Sequence, residues 1–120
     1  MNMLNSIILE GNITSAGQLK RDAQNVLQLD VSISVERSYK NREGKSVDDT
    51  SVFDIISYGN VAEILSHHCD EGQGIRVVGR LKMLKWFDGE KKHSRIVVIA
   101  EHIEFKPFKK KETENEKSVL

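Results

Sequence analysis

Residues 75–86, IRVVGRLKMLKW, place cations and an indole at alternate positions of an otherwise apolar run. Arg76, Arg80, Lys82 and Trp86 share the even positions, while Ile75, Val77, Gly79, Leu81 and Met83 hold the odd ones. Side chains alternate across a strand, so the odd set can enter a core while the cations and the indole face outward. Val78 and Leu84 interrupt the outward face with apolar groups. A second group lies at Arg37, Tyr39, Lys40, Arg42 and Lys45, and a third aromatic, Tyr58, precedes Gly59. Cations attract phosphates and aromatic rings stack on bases, and a single-stranded polyanion needs both. A lone tryptophan is more often a packing residue and a charged loop more often a solvated one. Here the two residue classes recur together on separate segments, which favours contact with a polyanion.

Other chemistries find little support. His67, His68 and Cys69 are consecutive, and neighbours on a helix point about 100° apart, so they do not converge on one ion. Asp48 and Asp49 have the residue type of a metal-dependent nuclease but are adjacent and lack a paired base. No phosphate-cradling glycine loop, nucleophile elbow or dinucleotide fingerprint occurs. The reading is a non-enzymatic chain without cofactor or metal.

Those residues need elements to hold them. The 120 residues suffice for one domain, with 18 basic and 18 acidic groups giving a formal charge of zero. The charge is unevenly placed: Arg76, Arg80, Lys82, Lys85, Lys91, Lys92 and Arg95 crowd one segment. Local field, not net charge, is what a nucleic acid meets. With Cys69 alone there is no intrachain disulfide. Neither a secretion signal nor an apolar run of membrane length is present, so the expectation is a cytoplasmic, nucleoid-associated protein without membrane contact.

The pattern predicts strands over 4–13, 26–35, 50–59, 75–86 and 95–105. The second is the clearest, with Leu27, Leu29, Val31, Ile33 and Val35 alternating with polar residues. Residues 14–25 read as a loop with room for a short extra strand, and 38–49 as a long hairpin loop around Gly44. In the third strand Asp54 marks the side shared by Val52, Ile56 and Tyr58 as the outer one. A helix is expected over 60–69, with Val61, Ile64, Leu65 and His68 on its buried face, Asn60 and Glu63 as a capping box, and Gly72 as its stop. Asp88-Gly89 is a turn signal, and Pro107 ends regular structure. Residues 1–107 thus form one domain and 108–120 a charged, disordered tail. Three strands, a helix and two strands are the order of an all-β, five-stranded barrel of the OB type, its helix between strands 3 and 4.

The chain resembles the bacterial single-stranded DNA-binding proteins. The resemblance rests on NSIILEGNI, VERSYK, DTSVFDIISYGNVAEIL and GQGIRVVGRLKMLKWFDGEKKHSRIVVIAEHIEF, in order over about residues 5–105. It implies an OB-fold homotetramer that wraps single-stranded DNA without sequence preference in replication, recombination and repair. The family's stacking aromatics map onto Tyr39, Tyr58 and Trp86. Phosphate contacts are expected from Arg37, Lys40, Arg42, Lys45, Arg76, Arg80 and Lys82, with Arg76 open to pairing with Asp70 or Glu71 instead. Two departures stand out. Val52 occupies a position where family members often carry an aromatic. The chain ends KKKETENEKSVL, without the acidic, apolar tip through which the family recruits replication and repair proteins. That pattern fits an accessory copy, and leaves as alternative a related OB-fold dimer that loads replication machinery mainly through protein–protein contacts.

Overall fold

The computed structural model describes residues 1–107, so the expected tail over 108–120 lies outside the described residues. The strands are β1 (Ile7–Ala16), β2 (Lys20–Arg21), β3 (Leu27–Lys40), β4 (Ser46–Tyr58), β5 (Gly74–Asp88) and β6 (Lys91–Lys106), with helix α1 (Gly59–Ser66) between β4 and β5. Hydrogen bonding runs β1-β5-β6-β4-β3, and β3 returns to β1, so five strands close into a barrel while β2 edges β3. Closure leaves the barrel strands without a free edge over their shared length. The expected all-β barrel with one helix is the fold observed.

Alternation builds the core. Leu29, Val31 and Ile33 of β3 are buried with Ile13 of β1, Ile55 of β4, Ile75 and Val77 of β5, and Val98 and Ala100 of β6. Helix α1 packs on β3, β4 and β6 and adds Ala62 and Leu65 to the same cluster. Thus one end of the barrel is closed by two helical side chains.

The helix departs from the sequence expectation at both ends. Tyr58 is its N-cap in extended conformation, with no side-chain cap hydrogen bond, and Gly59 at φ +60° turns the strand directly into the helix. Asn60 therefore lies inside the helix, where it cannot cap it. The helix stops at Ser66, with His67 as C-cap, because the chain is pulled back toward β1: Gly72 N donates to Ile13 O at 2.7 Å and Ile13 N to Gln73 O at 2.9 Å. Ile64, expected inside, is exposed, and Ala62 takes its place.

Two hairpins reach further than the polar residues of their tips suggest. β3 and β4 stay paired through Lys40↔Ser46, so most of residues 38–49 is ladder. Only 41–45 turn, with Asn41 Oδ1 accepting from Glu43 N and Lys45 N and Gly44 at φ +78°. β5 and β6 stay paired through Asp88↔Lys91. Beyond the barrel there is no core to fill, so Leu81 (42%) and Met83 (50%) stand exposed although they share the parity of Ile75 and Val77.

Among the described residues no helix is long and apolar enough to cross a membrane.

Candidate nucleic-acid interface

The register puts one continuous outer face on β5, β6, β4 and β3. Along β5 that face carries Arg76, Val78, Arg80, Lys82, Leu84 and Trp86. Across from Arg80, Lys82, Leu84 and Trp86 stand Ile99, Val97, Arg95 and His93 of β6. Ile56 of β4 is level with Ile99, and Val52, Asp54 and Tyr58 share its side. β3 continues the face with Gln28, Asp30, Ser32 and Ser34 opposite Tyr58, Ile56, Asp54 and Val52.

This outer face has an apolar floor. Ile56, Val97 and Ile99 are 4%, 1% and 4% exposed and cluster with Leu84. Parity alone assigns these residues to solvent, but neighbouring side chains cover them. On this floor Trp86 is 45% and Tyr58 37% exposed, so each ring keeps area for a planar ligand. Tyr58 is level with position 101 and Trp86 with His93, about eight residues apart, or roughly 26 Å of strand at about 3.3 Å per residue. A ligand touching both rings has to be an extended one.

Charge on the face is partly spoken for. Arg76 pairs with Glu10 at 2.6 Å and Glu104 at 3.2 Å, and Lys106 reaches Glu10 at 3.2 Å. The hydrogen bond from Arg76, then that from Lys106, holds the Glu10 carboxyl below the usual carboxylate range, and Glu10 in turn raises Arg76. Asp70 and Glu71, proposed as partners of Arg76, are replaced in that role by residues that β1 and β6 bring alongside it. Among the described residues Arg80 makes a long contact to Glu101, at 3.9 Å, its Nη1 is buried without a hydrogen-bond partner, and Lys82 has no ion-pair partner. Arg95 donates to Asp54 Oδ2 at 2.8 Å, and Ser32 Oγ donates to Asp54 Oδ1 at 3.0 Å. That pair offsets the carboxylate in mid-face, where it would otherwise repel a polyanion.

The predicted residues divide accordingly. Tyr58, Arg80, Lys82 and Trp86 come together on the outer face, while Arg76 lies on the same side but is held by two carboxylates. Arg37 and Tyr39, odd positions of β3, fall on the opposite side of its pleat, across from Asp49 and Val47. Lys40 takes the Tyr58 side, and Arg42 and Lys45 sit in the exposed tip. This hairpin forms a separate projection in which the four cations stand beside Glu43, Asp48 and Asp49. Val52, 61% exposed, provides an apolar surface without a ring. Sequence reading missed Arg95 and His93. Arg95 was visible only as one of seven clustered cations, since its pairing with Asp54 depends on the β4–β6 junction. Among the described residues no three His, Cys, Asp or Glu side chains are placed to hold a metal ion.

Residues 4–106 match the family model described as Single-strand binding protein family. The "Single-stranded DNA-binding protein" of Aquifex aeolicus is 29% identical over 101 residues, covering 84% of this chain and 69% of that protein. That of Helicobacter pylori is 26% identical over 104 residues, covering 86% of this chain but 58% of its own length. Of the Wolinella succinogenes protein the chain covers 64%, so it spans less than two thirds of several curated relatives. Among solved structures, wild-type single-stranded DNA binding protein from Thermus aquaticus gives a TM-score of 0.73 at 28% identity, over 85% of this chain and 50% of that one. A Plasmodium falciparum SSB complex with ssDNA gives 0.78 at 18% identity, over 88% and 96%, a likeness of fold.

Proposed function

The chain belongs to the single-strand binding protein family, and from that premise we propose that it binds and protects single-stranded DNA, without catalysis, during replication, recombination and repair. The observation that carries this reading is the outer face itself: exposed Trp86 and Tyr58 on one side of the sheet, with Arg80 and Lys82 between them. Bases stack on the two rings, and phosphates meet Arg80, Lys82 and the Arg37, Lys40, Arg42 and Lys45 projection, where Tyr39 adds a further ring. Every base offers a π-face, so stacking of this kind is tolerant of sequence.

Titrating the protein with poly-dT should quench Trp86 emission. The logarithm of affinity should fall with log salt by about 0.7 per phosphate contacted. Emission unchanged at saturating DNA argues against the platform. The cations should separate in the same assay. Lys82→Ala is expected to flatten the salt slope by about 0.7, whereas Arg76→Ala leaves it nearly unchanged and lowers the thermal midpoint. Equal slopes for the two variants would contradict the pairing of Arg76 with Glu10 and Glu104.

We propose further that the chain assembles as a homotetramer. Exposed Leu81, Met83 and Ile96 share one side of the β5–β6 arm, an apolar surface that supports self-association. Light scattering tests this, and a stable dimer would instead favour a loading role through protein–protein contacts.

A further inference from the structure

Trp86 is not a solitary ring. His93 stands directly opposite it in the β5–β6 ladder, and their rings stack with centroids 5.5 Å apart and planes 23° from parallel. The arrangement is set by the backbone, because directly opposed residues of an antiparallel pair hold their side chains within contact range. One face of the indole is thus occupied, yet Trp86 keeps 45% of its surface exposed. A base can therefore stack on the other face. Near His93 on this side stand Asp88 of β5, at 4.0 Å from Nε2, with Lys91 and Arg95 of β6, while Lys82 and Arg80 follow further along β5. β4 pairs with β6 at Val98 and Ile99 and reaches Arg95 through Asp54, so no third strand pairs with the arm at His93.

We propose that His93 is the positioning residue of the Trp86 platform: it backs the indole so that a nucleobase completes a three-ring stack. This deepens the single-strand reading and rests on it. Without a backing ring the indole of an exposed arm samples several rotamers, and a base must then order it. With His93 in place the ring is already ordered.

The experiment uses the full chain and two variants, His93→Ala and His93→Phe, with far-UV circular dichroism confirming that each is folded. Trp86 is the sole tryptophan, so its emission reports on the stack before any DNA is added. Loss of the covering ring opens the indole to water, so the emission maximum of free His93→Ala should lie to the red of wild type and that of His93→Phe near it. A maximum that His93→Ala leaves unmoved overturns the stack. With labelled poly-dT followed by anisotropy, His93→Ala should bind about two- to tenfold more weakly at pH 8, the range typical of aromatic pairs. His93→Phe should restore wild-type affinity at pH 8. His93→Ala binding as tightly as wild type overturns the proposal alone. Wild type failing to bind poly-dT overturns the single-strand reading and the proposal with it.

Discussion

Replacing Trp86 by alanine should weaken poly-dT binding by about five- to 150-fold, the equivalent of roughly 1–3 kcal/mol for one stacked base. The effect should be large because, among the described residues, Trp86 and Tyr58 are the only Phe, Tyr or Trp side chains on the outer face, and Val52 supplies no third. It should also be clean. Trp86 lies on the β5–β6 arm and belongs to neither buried cluster, so its removal takes nothing from the core. The thermal midpoint should stay near that of wild type, and Trp86→Phe should recover part of the affinity. Because the variant has no tryptophan, binding has to be read by anisotropy of a labelled oligonucleotide. An affinity equal to wild type would move the stacking elsewhere and leave Trp86 as cover for His93. Tyr58→Ala is a less clean comparison, since Tyr58 also sets the extended conformation from which α1 starts.

How far the sequence reveals such a face depends on where the two sides of a strand meet different surroundings. Residues 27–35 are legible because β3 is apolar inward and polar outward along that whole run. On β5 the same alternation continues through Leu81 and Met83, but the barrel ends near Gly79, and no local signal marks where a strand outlasts its core. The reverse occurs at Ile56, Val97 and Ile99, which parity places outside and neighbours nevertheless bury. The side of Tyr39 was in fact readable: counting on from Val35 gives it the odd parity of β3, away from Tyr58. Its polar surroundings suggested a loop, in which parity has no meaning. The partners of Arg76 were not readable, since Glu10 and Glu104 lie 66 and 28 residues away and meet it only through register.

Gly79→Ala is expected to destabilise the protein by at least about 3 kcal/mol, at the upper end of overpacking costs. The structure gives the reason for glycine at this position. A β-carbon there would lie 1.9 Å from the carbonyl oxygen of Ile99, 3.0 Å from its carbon and 3.3 Å from the α-carbon of Ala100. All three are backbone atoms, so no side chain can swing aside. The ladder is already irregular at this point: Val78 pairs with His102 and Gly79 with Ala100, leaving Glu101 as a bulge on β6. Relief would require β5 and β6 to separate where the barrel turns, next to buried Val77 and Val98. Against a total stability of about 5–15 kcal/mol, such a loss should lower the thermal midpoint by at least about 10 °C. Gly17→Ala is the control. Its β-carbon would meet only the carbonyl oxygen of Asp30, at 3.4 Å, and the change should be within about 0.5 kcal/mol. A midpoint for Gly79→Ala matching that of Gly17→Ala would mean that β6 can yield at its bulge. The consequence would reach the outer face as well, because Arg80, Lys82 and Trp86 all follow Gly79 on the same strand. Saturating poly-dT should then raise the midpoint of wild type more than that of Gly79→Ala, since a ligand stabilises a fold in proportion to how tightly it binds the folded form.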